Sequence, residues 1–151
     1  MRVRELMTVG VQTVSPGDSA EDAWALMRGR RIHHLVVTRG RDVVGVLSDR
    51  DAGGRAGATV RRTRTVAELM TAPAVTIAPT ATVRRAANVM RGRSIGCLVV
   101  SDRGRAVGIV TVSDLLELIG RGLDRGAAPA TRRLLNFRVP HRKARRPAVA
   151  W

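Results

Sequence analysis

One seven-residue pattern occurs twice in the chain, as Gly45-Val46-Leu47-Ser48-Asp49-Arg50-Asp51 and as Gly108-Ile109-Val110-Thr111-Val112-Ser113-Asp114. In both copies a glycine and two apolar residues lead to a hydroxyl side chain, and a carboxylate follows three residues later. Where a strand turns into a helix, this spacing puts the hydroxyl and the carboxylate on the same side of the corner. A carboxylate in that place can accept hydrogen bonds from two neighbouring ribose hydroxyls, and the adjoining helix N-terminus attracts phosphate.

A helix cap is the alternative explanation for both pairs, Ser48 with Asp51 and Thr111 with Asp114, because these residue types often cap helices. For a single motif the cap would be the better explanation. The same spacing in two copies favours a ligand-binding role. We therefore take these four residues as candidate ligand contacts.

The two motifs belong to a longer internal repeat. A shift of 63 positions aligns residues 3–52 with residues 66–115 without a gap, and 19 of the 50 aligned pairs are identical. Composition alone would not produce this register. One structural unit is therefore used twice.

Each copy of the repeat is predicted to begin with a short helix, at residues 3–7 and 66–70, where apolar residues have helical spacing. A longer helix follows the capping residue, Ser19 or Thr82, and is expected to end at a glycine, Gly29 or Gly92. The predicted strands cover residues 13–14, 32–38 and 43–47, and in the second copy 76–77, 95–101 and 106–110.

The last helix of the unit is clear only in the second copy, over residues 115–119. After Asp51 it is doubtful, because Gly53, Gly54 and Gly57 disfavour a helix there. The unit is thus helix, short strand, helix, hairpin and helix. The sequence predicts a mixed α+β fold in which this unit occurs twice.

The composition is that of a folded domain without a membrane segment. Apolar residues make up 44% of the 151 residues and aromatic residues 2%, so aliphatic side chains and methionine must build the core. No stretch approaches the roughly 20 apolar residues that a membrane span needs, and the N-terminus lacks the apolar run of a signal peptide. Cys97 is the only cysteine, which excludes an internal disulfide. We expect a cytoplasmic protein with no membrane insertion.

No catalytic arrangement is visible in the sequence. It contains neither a phosphate-binding loop with its lysine, nor a dinucleotide-binding glycine motif, nor a plausible Ser/His/Asp set. The adjacent His33 and His34 have no third ligand near them, so no zinc site is predicted. We expect a protein that is not an enzyme and requires no cofactor.

The net charge of +15 is concentrated in two segments. Residues 121–151 contain nine basic residues and one acid, and residues 53–65 add four arginines and no acid. A run such as Arg142 to Arg146 is most often a solvated tail. The alternative is an electrostatic arm for nucleic acid or for an acidic protein surface. Because few aromatic residues are available for base stacking, any nucleic-acid binding would be weak and nonspecific.

The repeat and its two motifs resemble the cystathionine-β-synthase-type (CBS) domain, and two in tandem resemble a Bateman module. The resemblance covers residues 1–120: a first repeat over 1–60 with a linker to 65, and a second over 66–120. Residues 121–151 would be a basic, flexible tail. The resemblance implies that the repeats pack sheet against sheet about a pseudo-twofold axis and leave two clefts for an adenine nucleotide.

The resemblance also implies a role for each candidate contact. Asp51 and Asp114 would bind the ribose, helped by Ser48 and Thr111. Adenine would lie among Val14, Ile77 and the backbone before each Leu-Val-Val strand. The residues that would face phosphates are His33, His34 and Arg50. The second repeat has Gly96, Cys97 and Ser113 at those positions, so the two clefts should differ.

Two functions stay open from the sequence. The first is a non-catalytic regulatory module that binds AMP, ADP, ATP or S-adenosylmethionine and signals to an unknown partner. The second is a basic nucleic-acid-associated or scaffolding protein that uses the CBS pair for dimerisation. A homodimer is also expected, because the resemblance implies that the helices of two Bateman modules pair and because the apolar helix faces are too large to be hidden fully in a monomer.

Overall fold

The computed structural model describes residues 1–122, so the predicted tail lies outside the described residues apart from Arg121 and Gly122. The first repeat and the linker after it contain α1 (Val3–Leu6), β1 (Thr8–Val9), β2 (Thr13–Val14), α2 (Ala20–Arg30), β3 (His34–Arg39), β4 (Asp42–Ser48), a 3₁₀ turn (Gly54–Ala56) and α3 (Ala58–Arg61). The second contains α4 (Val66–Leu69), β5 (Thr76–Ile77), α5 (Val83–Arg93), β6 (Cys97–Asp102), β7 (Arg105–Thr111) and α6 (Val112–Gly120).

Two sheets carry these elements, one with the strand order β2-β3-β4 and one with the order β1-β7-β6-β5. Their registers are the same after the shift of 63 residues. Thr13 lies beside Val36 in the first sheet, as Thr76 lies beside Val99 in the second. The sheets meet along β4 and β7. The predicted α+β fold, with two repeats packed sheet against sheet about a pseudo-twofold axis, is confirmed.

The first segment of each repeat crosses over to the other repeat. Strand β1 pairs with β7 of the second repeat, and Thr8 lies opposite Ile109. The equivalent residue Thr71 pairs with Val46 of the first repeat. In the same way, Val3 packs in the core of the second repeat and Val66 in the core of the first. Each hydrophobic core is therefore completed by a helix from the other repeat.

The two long helices run past the glycines that were expected to end them. Each ends one residue later, at Arg30 or Arg93, and the next residue, Arg31 or Ser94, has a left-handed backbone. The backbone N–H of Ile32 donates to the carbonyl of Met27 at 3.0 Å, so Ile32 still belongs to the helix end. For that reason β3 begins at His34 and not at residue 32. The Gly29 and Gly92 prediction is wrong because an exposed helix tolerates a glycine at a cost of about 1 kcal/mol.

As expected from its glycines, the first repeat has no long helix in the place where the second repeat has α6. Helix α6 begins directly after Thr111, whereas Ser48 is followed by a single helical turn, the 3₁₀ turn and the short helix α3. The two motifs thus have the same beginning and different continuations. No helix within residues 1–122 has the length and the apolar character needed to cross a membrane.

Candidate functional site

The second motif forms a closed set of hydrogen bonds at the start of α6. The backbone N–H of Thr111 donates to Oδ2 of Asp114 at 2.7 Å, and the Thr111 hydroxyl donates to the same oxygen at 2.9 Å. The backbone N–H of Asp114 donates in return to Oγ1 of Thr111 at 3.4 Å. This is a capping box, so the cap that the sequence left as an alternative is present.

The first motif forms the same box on a much shorter helix. The backbone N–H of Ser48 donates to Oδ2 of Asp51 at 3.0 Å, and that of Asp51 donates to Oγ of Ser48 at 2.9 Å. Gly53 then adopts a left-handed backbone with φ of 81°, and the N–H of Gly54 donates to the carbonyl of Asp49 at 2.9 Å. This is a Schellman end, which closes the helix after one turn.

A cap does not exclude a ligand at these carboxylates. Within residues 1–122, the hydrogen bonds of Asp51 and Asp114 use Oδ2 and leave Oδ1 without a protein donor. Both residues are half-buried. The cap fixes the rotamer of the side chain, and the second oxygen stays available to accept hydrogen bonds from a ligand.

His34 lies between the two motifs. It faces Ser48 across the β3–β4 pair, and its pKa is affected by both Asp51 and Asp114. Burial lowers the pKa of His34, and the opposing attraction of Asp49, Asp51 and Asp114 is the smaller influence. His34 is therefore neutral near pH 7, and the carboxylates of both repeats lie near enough to influence its pKa.

Cys97 holds the position of His34 in the second repeat. It faces Thr111 across the β6–β7 pair and is buried. Burial, with a contribution from Asp114, raises the pKa of the Cys97 thiol to about 12. The thiol is therefore protonated at neutral pH and acts as a small buried hydrophobic group.

His33 is exposed and pairs with an acidic side chain. Its Nδ1 lies 2.8 Å from Oδ2 of Asp49, and the second repeat has Gly96 and Val112 at these two positions. The negative charge of Asp49 opposes a phosphate beside His33. Arg50 is exposed. Its backbone carbonyl accepts a hydrogen bond from the N–H of Gly53 at 3.0 Å.

The two predicted adenine contacts differ in exposure. Val14 is half-buried on β2 beside Val37. Ile77 is only 7% exposed and packs in the core of the second repeat. Ile77 therefore offers much less surface to a ligand than Val14 does. The structure thus brings His34 near Asp51 and Asp114, hydrogen-bonds Ser48 to Asp51 and Thr111 to Asp114, and leaves Arg50 at the surface.

Two cavities lie against helix α5, and the predicted adenine contact Ile77 lines one of them. One, of about 580 Å³, is lined by Arg2, Ala81, Thr82, Arg84, Arg85, Asn88 and Val89. The other, of about 440 Å³, is lined by residues that include Ile77, Arg85 and Arg93. Neither cavity is lined by a hydroxyl or carboxylate of the two motifs. Within residues 1–122, no group of three or more histidine, cysteine, aspartate or glutamate side chains is placed to hold a metal ion.

Arg61 is a residue that the sequence did not single out. It belongs to a linker that reads as solvated, yet it is only 3% exposed. Its guanidinium lies 4.2 Å from the ring centre of Trp24 and donates to Glu21 and to the backbone just after Asp51. Glu21 and Trp24 of α2 do not form a recognisable sequence pattern with Arg61, so the sequence alone does not predict this contact.

The unfolding free energy should fall as the pH drops below about 6.5. Because burial lowers the pKa of His34, the unfolded chain takes up a proton near pH 6.5, before the folded chain does. Stability is then lost until the pH reaches the lowered pKa of the folded state. The change His34→Cys, which introduces the residue of the second repeat, should flatten this fall in urea denaturation, whereas His33→Ala should keep it. An equal fall in His34→Cys and the unaltered protein would contradict this prediction.

Comparisons with known proteins agree with this geometry. The family model described as the CBS domain matches residues 3–52 and 66–121. No curated protein sequence is significantly similar to the chain. Among solved structures, the CBS domain pair of MJ0100, in complex with 5′-methylthioadenosine and S-adenosyl-L-methionine, is similar at 26% identity. The match covers 80% of this chain and 97% of that one, with a TM-score of 0.73.

Two further structures have the same architecture. The CBS-domain-containing protein ATU1752 from Agrobacterium tumefaciens is 25% identical, with 79% of this chain and 99% of that chain covered and a TM-score of 0.70. The hexameric CBS-CP12 protein from bloom-forming cyanobacteria is also 25% identical, with 81% and 71% covered and a TM-score of 0.72. The chain belongs to the CBS-domain family and contains a pair of CBS repeats.

Proposed function

We propose that this chain is a regulatory module, not a catalytic one, that binds an adenine nucleotide or S-adenosylmethionine between its two repeats. The supporting observation is the pair of capped carboxylates, Asp51 and Asp114, each with one oxygen that accepts from no donor within residues 1–122. In the proposed complex these oxygens accept from the ribose hydroxyls, and Ser48 and Thr111 hold the carboxylates in place. We call the cleft with Asp51 and Val14 the first cleft and the cleft with Asp114 and Ile77 the second. Val14 borders the adenine of the first cleft, and Ile77 contributes little to the second.

The similarity to MJ0100 supports this choice of ligand, since that protein is a CBS pair in complex with two adenosine compounds. The charges in the first cleft further restrict which of these ligands it should bind. Neutral His34 and the Asp49 beside His33 give little attraction to a triphosphate at neutral pH. We therefore expect the first cleft to favour AMP or S-adenosylmethionine over ATP, and Arg50 is the remaining cation among the three predicted phosphate contacts.

A thermal-shift screen tests the proposal. The full chain is heated with AMP, ADP, ATP and S-adenosylmethionine, with GMP and CMP as matched controls. A ligand at 100 times its Kd stabilises the folded state by about 2.7 kcal/mol. We expect such a shift with at least one adenine compound and none with CMP. Equal shifts, or no shift, with every compound would contradict the proposal.

A homodimer is the second part of the proposal. Leu116 and Ile119 of α6 are 62% and 61% exposed, and Val112 continues the same apolar stripe one turn earlier. An apolar stripe that is exposed within residues 1–122 is typical of an interface between subunits. Light scattering should give twice the mass of the chain at micromolar concentration, and Leu116→Glu should reduce it to the monomer mass. A monomer before any substitution would refute the dimer.

Nonspecific nucleic-acid binding is the alternative function, and the net charge of +15 is the observation that favours it. Each phosphate that is neutralised adds roughly −0.9 to the slope of log affinity against log salt concentration. Removal of residues 123–151 should therefore abolish any duplex binding seen at low salt while adenine-nucleotide affinity stays unchanged. If the truncated chain also loses nucleotide affinity, the tail covers a cleft instead. The cytoplasm remains the proposed compartment, and the regulated partner is unknown.

A further inference from the structure

The helical turn after Ser48 ends where the equivalent helix of the second repeat continues. The N–H of Ala52 donates to the carbonyl of Ser48 at 3.1 Å, and the Schellman contact at Gly53 and Gly54 stops the helix there. The carbonyls at the end of a helix have no helical N–H to accept from. In α6 further turns supply those donors. In the turn that carries Asp51, the N–H groups of Gly54 and Gly53 donate to the carbonyls of Asp49 and Arg50, and the carbonyl of Ala52 needs another donor.

Arg61 supplies the donor for the carbonyl of Ala52 and a second donor for the carbonyl of Gly54, which also accepts from the N–H of Gly57 at 3.3 Å. Its Nη1 donates to the carbonyl of Ala52 at 2.9 Å and to the carbonyl of Gly54 at 2.5 Å. Its Nε donates to Oε2 of Glu21 at 3.1 Å, and its guanidinium covers the ring of Trp24. The buried charge is thus matched by a carboxylate, by two carbonyls and by an aromatic face, which are the partners that a buried arginine requires.

Two glycines let the chain return closely enough for this contact. A Cβ on Gly53 would lie 2.8 Å from Cα of Gly57, and a Cβ on Gly57 would lie 2.5 Å from Cα of Gly53. Both backbones therefore touch without side chains between them. Helix α3 starts directly after Gly57 and carries Arg61 back over the end of the turn.

We infer that Arg61 is a positioning residue for Asp51 and that it acts on the first cleft alone. It holds the carbonyl of Ala52, the neighbour of Asp51, against α2, and so fixes the single turn from which the carboxylate is presented. Asp114 needs no such residue, because α6 continues to Gly120. The inference rests on the proposed function of Asp51 as a ligand contact, and it adds that the linker controls one of the two clefts.

Calorimetric titration separates the clefts and tests this role. In Asp114→Asn only the first cleft keeps its carboxylate, and in Asp51→Asn only the second does. The ligand is whichever of AMP, ATP and S-adenosylmethionine binds most tightly. Adding Arg61→Gln to the Asp114→Asn variant should weaken its binding by roughly tenfold or more. Adding Arg61→Gln to the Asp51→Asn variant should leave the affinity unchanged. The matched control is Arg62→Gln, a change at the exposed neighbouring residue, which should leave the affinity unchanged in both variants. Arg61→Lys should cause an intermediate loss of affinity in the Asp114→Asn variant. An equal loss in both variants would mean a general folding defect and would overturn the inference.

Amide hydrogen exchange without ligand keeps the inference testable if the nucleotide proposal fails. Arg61→Gln should make the amides of residues 51–54 exchange roughly tenfold faster or more, because local opening frees them. The amides of α6 should be unaffected, and Arg62→Gln should leave both segments unchanged. If the unaltered chain binds none of the three compounds, the proposed function is wrong, and exchange alone decides on Arg61. Unchanged exchange at residues 51–54 in Arg61→Gln would refute its positioning role.

Discussion

Replacing Asp51 and Asp114 together by asparagine should weaken adenine-nucleotide binding in both clefts while the protein stays folded. Asparagine keeps an oxygen that can accept the capping N–H of Ser48 or Thr111. It loses the charge that strengthens a hydrogen bond from ribose, which is worth about 1.5–3 kcal/mol. Each cleft should therefore lose roughly tenfold to a hundredfold in affinity. Titration calorimetry on the single and double variants measures the loss.

Asparagine is the better substitution because alanine would remove two functions at once. The carboxylates of Asp51 and Asp114 are part of capping boxes, so alanine would also cost about 0.5–2 kcal/mol of stability. Asp42→Asn with Asp102→Asn is the matched control, since it removes the same charge from the ends of the two hairpins. Unchanged affinity in the Asp51 and Asp114 double variant would exclude both carboxylates from ligand binding.

Adding a single methyl group at Gly108 should lower the free energy of unfolding by about 1–3 kcal/mol. A Cβ there would lie 2.7 Å from the backbone oxygen of Thr8 and 2.8 Å from Sδ of Met7. Gly45 has the same contacts with Thr71 and Met70. These glycines let the crossing segment of the other repeat approach, so Gly108→Ala and Gly45→Ala should both be destabilising in urea denaturation.

The helix glycines provide the control for this prediction. A Cβ on Gly29 or Gly92 would meet no atom within 4 Å. Because alanine favours the helix, Gly92→Ala should raise the free energy of unfolding by about 0.5–1 kcal/mol. If Gly108→Ala and Gly92→Ala shift stability in the same direction, then the crossing segment does not press against β7 in solution.

Local elements were predictable from the sequence because each depends on nearby residues. The caps at Ser19 and Thr82 and the two hairpins follow from residue types and spacing, and the structure has them. The crossing of β1 to the second repeat was not predictable. Thr8 and Thr71 sit in near-identical surroundings in sequence, and the choice of sheet depends on which core each lead-in helix completes. The role of Gly45 and Gly108 became clear only with that crossing.

The sequence predicted the hydroxyl and carboxylate residues of the candidate site, but it did not predict the residues that surround and position them. The hydroxyl and carboxylate spacing pointed to Ser48, Asp51, Thr111 and Asp114, and their ligand contacts stay predictions. Asp49 beside His33 and the burial of His34 depend on the β3–β4 pairing and the sheet contact, which spacing alone does not reveal. Arg61 looked like one more linker charge, because its burial arises from a distant tryptophan and glutamate.

Titration with a ligand that lacks its ribose hydroxyls is the most direct test of the central claim. The full chain is titrated with AMP, ATP and S-adenosylmethionine, and then with the 2′,3′-dideoxy analogue of the tightest binder. We expect the analogue to bind roughly tenfold to a hundredfold more weakly, since each carboxylate loses its charge-assisted hydrogen bonds. In the Asp51→Asn and Asp114→Asn double variant the difference between ligand and analogue should vanish. Equal affinities for the ligand and its dideoxy analogue in the unaltered protein would contradict the ribose contact at Asp51 and Asp114.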